Sequence, residues 1–248
     1  MSRFYETPIG SLVSVTTVTG VWDKSFALIA WAAGCAAKRF RQIIEDGGED
    51  LIEAEKKAKR EYRKVSREAL DIGSEVHNLI EVHLKGQPVH LKNYGKRVQN
   101  GYNAYLKWEE VNNFELIASE RRMYSEKGFA GTTDCICKLN GEKYVIDFKT
   151  SKGVYEPGYS MQLSAYRDMV NDGYREDIID YQKQWVKSKD NIRNAGVLVL
   201  NKETGMPSWY PYNPELLDLS FGQFTDLLNA WRKNAQRKNI TNYARRQK

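Results

Sequence analysis

The chain has 248 residues, 41% of them hydrophobic and 28% charged, with a formal net charge of +6. That length allows a substantial core, and the composition excludes a chain that stays disordered. The mild basic excess suits a polyanionic partner without requiring one.

The opening MSRFYETPIG lacks the basic-then-apolar layout of a secretory signal. The longest apolar run, FALIAWAAGCAA at 26–37, ends at Lys38 and Arg39. It is too short to span a bilayer and reads as a buried helix. Three cysteines, odd in number and widely spaced, argue against a disulfide framework. Cys135 and Cys137 read as small buried side chains rather than metal ligands. The expectation is a cytoplasmic protein with no membrane contact.

In chain order, alternating β-branched residues at 11–19 predict a short strand. Ser25 caps a predicted helix reaching about residue 44, which GGED at 47–50 breaks. Residues 51–85 have a helical pattern, with a break expected near Asp71-Ile72-Gly73 and a stop at Gly86 and Pro88. A further helix fits 93–110. The period then changes to two, and 114–124, 129–139 and 143–151 predict three strands. Pro157 opens a helix to about residue 170. The polar stretch 174–194 is either an insertion or a lid. AGVLVLNK at 195–202 predicts a buried strand with Thr204-Gly205 as its turn, and the last helix begins near Pro214. After Asp226 the chain has seven Lys or Arg and no acid. They either lie on phosphates or form a solvated helix end and tail. The sum is an α+β fold with an αβββαβ core on a mostly antiparallel or mixed sheet. It is read as a single domain: an N-terminal helical region 1–70, a core 71–210, and a C-terminal helix and basic tail 211–248.

The stretch GTTDCICKLNGEKYVIDFKTSK at 131–152 carries the chemistry. Asn140-Gly141 between two alternating runs signals a two-residue type I′ hairpin. Counting outward pairs 138 with 143, 136 with 145, and 134 with 147. Asp134 and Asp147 then face each other, with Cβ atoms roughly 4.5–5.5 Å apart. Opposed carboxylates repel. Protonation of one acid, a bridging base or a divalent cation between them would relieve the repulsion; a chance solvent-facing pair is the bland alternative. Lys149 shares the Asp147 face, while Tyr144, Ile146 and Phe148 form the opposite, apolar stripe.

Asp134 followed by Asp147-Phe148-Lys149 resembles the PD-(D/E)XK nuclease superfamily, and more narrowly its RecB-like exonucleases. DIGSEVHNLIE is similar to that group's G-x-x-x-H helix, through Gly73 and His77. GTTD resembles its G-x-x-D strand, with Thr133 where the superfamily name has Pro. QLSAY resembles its Q-x-x-x-Y helix, through Gln162 and Tyr166. Compact phage RecB-like exonucleases and the mitochondrial genome maintenance exonuclease are similar in layout.

The resemblance implies a restriction-endonuclease-like core and a metal-dependent DNA exonuclease acting at DNA ends. Viral or phage DNA recombination, repair or processing would be its setting, in host-cell cytoplasm. A structure-specific endonuclease, an RNA nuclease and a catalytically silent DNA-binding module are the alternatives. The implied cofactor is Mg²⁺ or Mn²⁺, as one or two ions, held by His77, Asp134, Asp147 and the Phe148 carbonyl. No iron–sulfur cluster is expected, since no cysteine follows Cys137. Lys149 would orient water or stabilise developing charge, and Gln162 and Tyr166 would look onto the site from one helical face. Glu120 either joins the acidic cluster or pairs with Arg121 or Arg122. Glu81 either fixes the His77 tautomer or is a surface acid. Thr150, Ser151 and Lys152 are candidate phosphate contacts. The implied partners are single-stranded DNA or DNA ends, and a single-strand-binding or recombination protein.

Overall fold

The computed structural model describes residues 3–22, 25–47 and 50–246, with side chains to residue 237. In chain order the elements are β1 (Phe4–Thr7), β2 (Gly10–Ser14), α1 (Val15–Thr19), α2 (Ser25–Glu45), α3 (Leu51–Ala58), α4 (Glu61–Leu84) and α5 (Lys96–Val111). The strands β3 (Phe114–Ser125), β4 (Phe129–Leu139) and β5 (Glu142–Lys149) follow, then α6 (Gly158–Asp172). After these come β6 (Tyr174–Ile179), β7 (Gln182–Lys187), β8 (Asn194–Leu200), β9 (Pro207–Tyr212) and α7 (Pro214–Arg246).

The fold is α+β, and the expected αβββαβ order is present, with the β6–β7 hairpin inserted before the last strand. The sheet order is β7-β6-β3-β4-β5-β8-β9, with β2 joining β4 and β1 pairing β2. Only β2–β4 and β5–β8 are parallel, so the sheet is mixed and mostly antiparallel. Asn140 (φ 50°) and Gly141 (φ 87°) both turn left-handed, as a type I′ hairpin requires. The register follows as counted: Leu139 pairs Glu142, Lys138 pairs Lys143 and Ile136 pairs Val145.

Both faces of the sheet are covered. On one, Ile136, Val145 and Val197 pack with Met161, Leu163 and Met169 of α6, and with Leu217 and Phe224 of α7. On the other, Cys135, Cys137, Ile146 and Phe148 pack with Val76, Leu79 and Ile80 of α4, and with Tyr102 and Tyr105 of α5. The two cysteines are therefore small core side chains, as read. Burial on both faces also means that any charge on these strands sits in a low-dielectric layer and needs a partner.

Several expectations are corrected. The strand at 11–19 stops at Ser14, whose hydroxyl accepts the Thr17 N–H and caps α1. The run at 26–37 is helical but not buried: of α2 only Ile43 is buried, and Phe26 is 90% exposed. It packs on α3 and α4 instead of the sheet, so its apolar residues remain in solvent. The helical break falls at Lys59-Arg60, and α4 runs unbroken through Gly73. The stretch 174–194 contains a hairpin turned by Asp180 and Tyr181, both with positive φ. Residues 207–212 form an outer strand, consistent with two prolines at a sheet edge. The seven basic residues near the carboxyl end lie partly outside the described side chains. Among the described residues, no helix is long and apolar enough to cross a membrane.

Candidate active site

Gly73 brings α4 onto the carboxyl end of β5: a Cβ there would stand 3.2 Å from Thr150 Oγ1. One turn later His77 reaches the strand, with Nε2 3.0 Å from the Phe148 carbonyl oxygen. A carbonyl only accepts, so Nε2 carries a hydrogen and donates it. In the neutral ring Nδ1 then presents its lone pair. That atom faces Asp134 Oδ2 at 3.6 Å. A lone pair aimed at a carboxylate is unfavourable until a proton or a cation stands between them.

Asp134 sits where β4 and β5 part. The paired register runs to Cys135–Ile146, one step short of Asp134 and Asp147. The Phe148 N–H donates to Asp134 Oδ2 at 2.7 Å, so a side chain takes up a strand donor at this fork. On the other side, Ser119 pairs Cys135 and Arg121 pairs Thr133, which sets Glu120 opposite Asp134. Glu120 has φ 45°, a left-handed kink inside a strand. One ligand atom from each of His77, Glu120 and Asp134 lies within 4.8 Å of the others. Burial, and next the charge of Asp134, push the Glu120 carboxyl up to about 7.

Asp147 is 2% exposed. Its Oδ1 accepts from Gln162 Nε2 at 2.8 Å, and the same amide nitrogen donates to Tyr166 OH at 3.2 Å. The i, i+4 spacing of Gln162 and Tyr166 thus aims both at the site. Asp147 Oδ2 meets the Lys149 ammonium as an ion pair, yet it is a buried oxygen with no well-aligned hydrogen bond. Burial drives the Asp147 carboxyl upward; Lys149 opposes the shift and Asp134 adds to it. Burial works against the Lys149 ammonium, but Asp147 and Asp134 outweigh it and its pKa is raised. Lys149 therefore stays a cation, suited to stabilising charge and unsuited to acting as a base.

The structure thus gathers His77, Glu120, Asp134, Asp147, Phe148, Lys149, Gln162 and Tyr166 around one fork in the sheet. Glu120 belongs to the cluster and not to a surface pair: Arg122 goes to the Glu6 carbonyl and to Glu176. The Phe148 carbonyl, expected as a ligand, accepts the His77 Nε2–H here. Glu81 does not touch that ring; it pairs with Lys85. Of the candidate phosphate contacts, Thr150 packs against Gly73, Ser151 donates to the Gly153 carbonyl at 2.8 Å, and Lys152 is exposed.

Tyr159 is the residue the sequence did not single out. The Lys149 ammonium lies 5.1 Å from its ring centroid, and its hydroxyl donates to Ser151 Oγ at 3.3 Å. Its position three residues before Gln162 placed it on the same helical flank, a signal that the motif outweighed.

The donor set fits a hard or borderline divalent ion. One imidazole lone pair and two carboxylates converge, and the like charges of Glu120 and Asp134 call for a cation. No protein-family model matches the chain, and no curated protein matches it in sequence, so the functional reading rests on these atoms.

Proposed function

We propose that the protein is a metal-dependent deoxyribonuclease of RecB-like PD-(D/E)XK type, an exonuclease hydrolysing phosphodiester bonds from DNA ends. The observation that carries this is the convergence of His77, Glu120 and Asp134 beside the buried Asp147 and its half-buried partner Lys149. Mg²⁺ or Mn²⁺ would be held by His77, Glu120 and Asp134, with Asp147 as the adjoining carboxylate. When bound, such an ion neutralises phosphate charge and lowers the pKa of a water.

The chain's own groups do the rest. Phe148 holds the imidazole so that Nδ1 faces the acids. Gln162 fixes one oxygen of Asp147, and Tyr166 braces the glutamine. Lys149, kept cationic between two carboxylates, offers positive charge to the phosphate oxygens as charge builds on them. Tyr159 holds that ammonium in place. The two helical layers flanking the sheet leave the fork as a preorganised polar spot in an apolar frame. Recombination, repair or processing of viral or phage DNA, in host cytoplasm and beside a single-strand-binding or recombination protein, is the setting that suits an end-directed nuclease.

The test is digestion of end-labelled linear and covalently closed circular DNA, with Mn²⁺ or Mg²⁺ and with EDTA. The expected result is metal-dependent release of nucleotides from ends, closed circles left intact, and no release by Asp134→Asn. Nicking of closed circles would replace the exonuclease with an endonuclease. Absence of hydrolysis with both metals would overturn the nuclease.

A further inference from the structure

The amino-terminal half of α4 carries a second feature, away from the metal cluster. Arg60, Arg63, Lys64 and Arg67 recur at i, i+3, i+4 and i+7, so they form one cationic stripe. All four are exposed, and they line one concavity together with Glu68, Asp71, Ile72 and Glu75. Among the described residues none of the four has a carboxylate partner. By contrast, Glu68 is neutralised by Arg97 at 2.6 Å. Asp71 and Glu75 close the carboxyl end of the concavity and mark where the cationic stretch stops.

Aromatic rings adjoin the stripe at its Arg63 edge. Trp31 of α2 stands edge-on to Tyr62 of α4, with centroids 6.4 Å apart, and it is 40% exposed. The Arg63 guanidinium lies 5.7 Å from the Tyr62 centroid. Cations without carboxylate partners, one of them hydrogen-bonded to the Tyr62 hydroxyl at 3.1 Å, beside partly exposed rings match a polyanion whose bases are free to stack, which is single-stranded nucleic acid. A duplex keeps its bases stacked inside and would use only the cations.

We infer that the Arg60–Arg63–Lys64–Arg67 stripe, with Trp31 and Tyr62, is a track for single-stranded nucleic acid leading along α4 toward the His77 cluster. The helix fixes the spacing. Arg67 lies about 15 Å and Arg60 about 25 Å before His77 along the axis. A stacked strand advances about 3.4 Å per nucleotide, so the stripe lies roughly four to eight nucleotides from the cluster. The inference rests on the nuclease reading only for what happens at the track's end; binding along the stripe stands or falls by itself.

The experiment is fluorescence anisotropy of the full chain with labelled DNA in EDTA, across a salt series. The probes are a single-stranded 4-mer, 8-mer and 16-mer, a 16-bp duplex and a 16-mer of RNA. The variants are R60A/R63A/R67A, Trp31→Ala and D71N/E75Q. Hydrolysis of bis(p-nitrophenyl) phosphate with Mn²⁺ reads the cluster without needing the track, and thermal melting checks that each variant is folded.

For single-stranded DNA, affinity should rise steeply between 4-mer and 8-mer. The triple variant should lose at least about tenfold for the 16-mer, with its salt slope falling by roughly two. Trp31→Ala should lose about tenfold for the single strand and little for the duplex. D71N/E75Q should bind more tightly. Bis(p-nitrophenyl) phosphate hydrolysis should be unchanged in all of them. The RNA arm sets the sugar preference of the same track, and equal loss for RNA in the triple variant supports it. Unchanged 16-mer binding by a folded triple variant overturns the track while leaving the nuclease standing. Equal losses for duplex and single strand in the Trp31 variant overturn the single-strand assignment. Loss of binding with no hydrolysis by any form supports the track and removes the nuclease.

Discussion

The β3–β4–β5 fork and the helices α2 and α3 treat their side chains in opposite ways. The fork buries charge: Asp147 is 2% exposed and is held by Lys149 and Gln162. The helices leave apolar groups in water: Phe26 is 90% and Ile29 68% exposed, and only Ile43, Ala54 and Ala58 are buried there. Buried charge is costly and persists only when its partners are fixed, so the fork is where the fold has least freedom. The helices contribute little to the core, and their surface is open to respond to a partner.

The contrast can be broken most severely at the ion pair. Lys149→Met leaves Asp147 buried opposite a thioether and should cost about 3 kcal/mol of stability. Adding Asp147→Asn should restore most of that loss in urea melts, while hydrolysis stays on the order of a hundredfold or more below wild type. If the double variant is as unstable as the single one, the pair is not the coupled unit described.

Next comes Glu120. Burial, and next the charge of Asp134, push its carboxyl from an ordinary 4.5 up to about 7. With metal absent, the folded chain keeps this proton over the window in which the unfolded chain releases it. The associated stability is fully present below about 4.5, shrinks as pH rises and is lost above about 7. Urea melts in EDTA at pH 5 and pH 7.5 should show a drop larger in wild type than in Glu120→Gln, by on the order of 1–2 kcal/mol. Equal drops would show that Glu120 is not held protonated by its surroundings.

Tyr159 sharpens the same side of the comparison. Tyr159→Leu removes the ring from Lys149 and should lower kcat about tenfold with KM nearly constant, whereas Tyr159→Phe keeps the ring and the rate. Equal damage by Phe and Leu would assign the effect to the hydroxyl on Ser151. The smallest effects belong to the helices. Phe26→Gln and Ile29→Gln should each shift stability by less than about 0.5 kcal/mol. Ile80→Ala, on α4 against the sheet, should cost about 2–5 kcal/mol. A large loss at Phe26 would mean that α2 is part of the core after all.

The fork was legible because its rules are local. Asn140-Gly141 dictates a turn type, the turn dictates the register, and strand alternation then places Asp134 near Asp147. The spacing of Gly73 with His77 and of Gln162 with Tyr166 follows from one helical period. What escaped was set by tertiary context. The β6–β7 turn uses Asp180-Tyr181, a pair with no glycine to announce it. The break expected near Gly73 misread a residue chosen for its closeness to Thr150. The run at 26–37 carries the composition of a core helix, but nothing in its own sequence says whether the sheet will be beside it. Glu120 could not be placed without the register of β3, which shifts between Leu116 and Ala118.

Isothermal titration calorimetry of the full chain with Mn²⁺ at pH 7.5 addresses the cluster most directly. Saturable binding by wild type, weakened at least about tenfold in Asp134→Asn and in His77→Ala, is the expected result. Binding of equal strength in all three proteins, or none in folded wild type, would contradict a cation held between His77, Glu120 and Asp134.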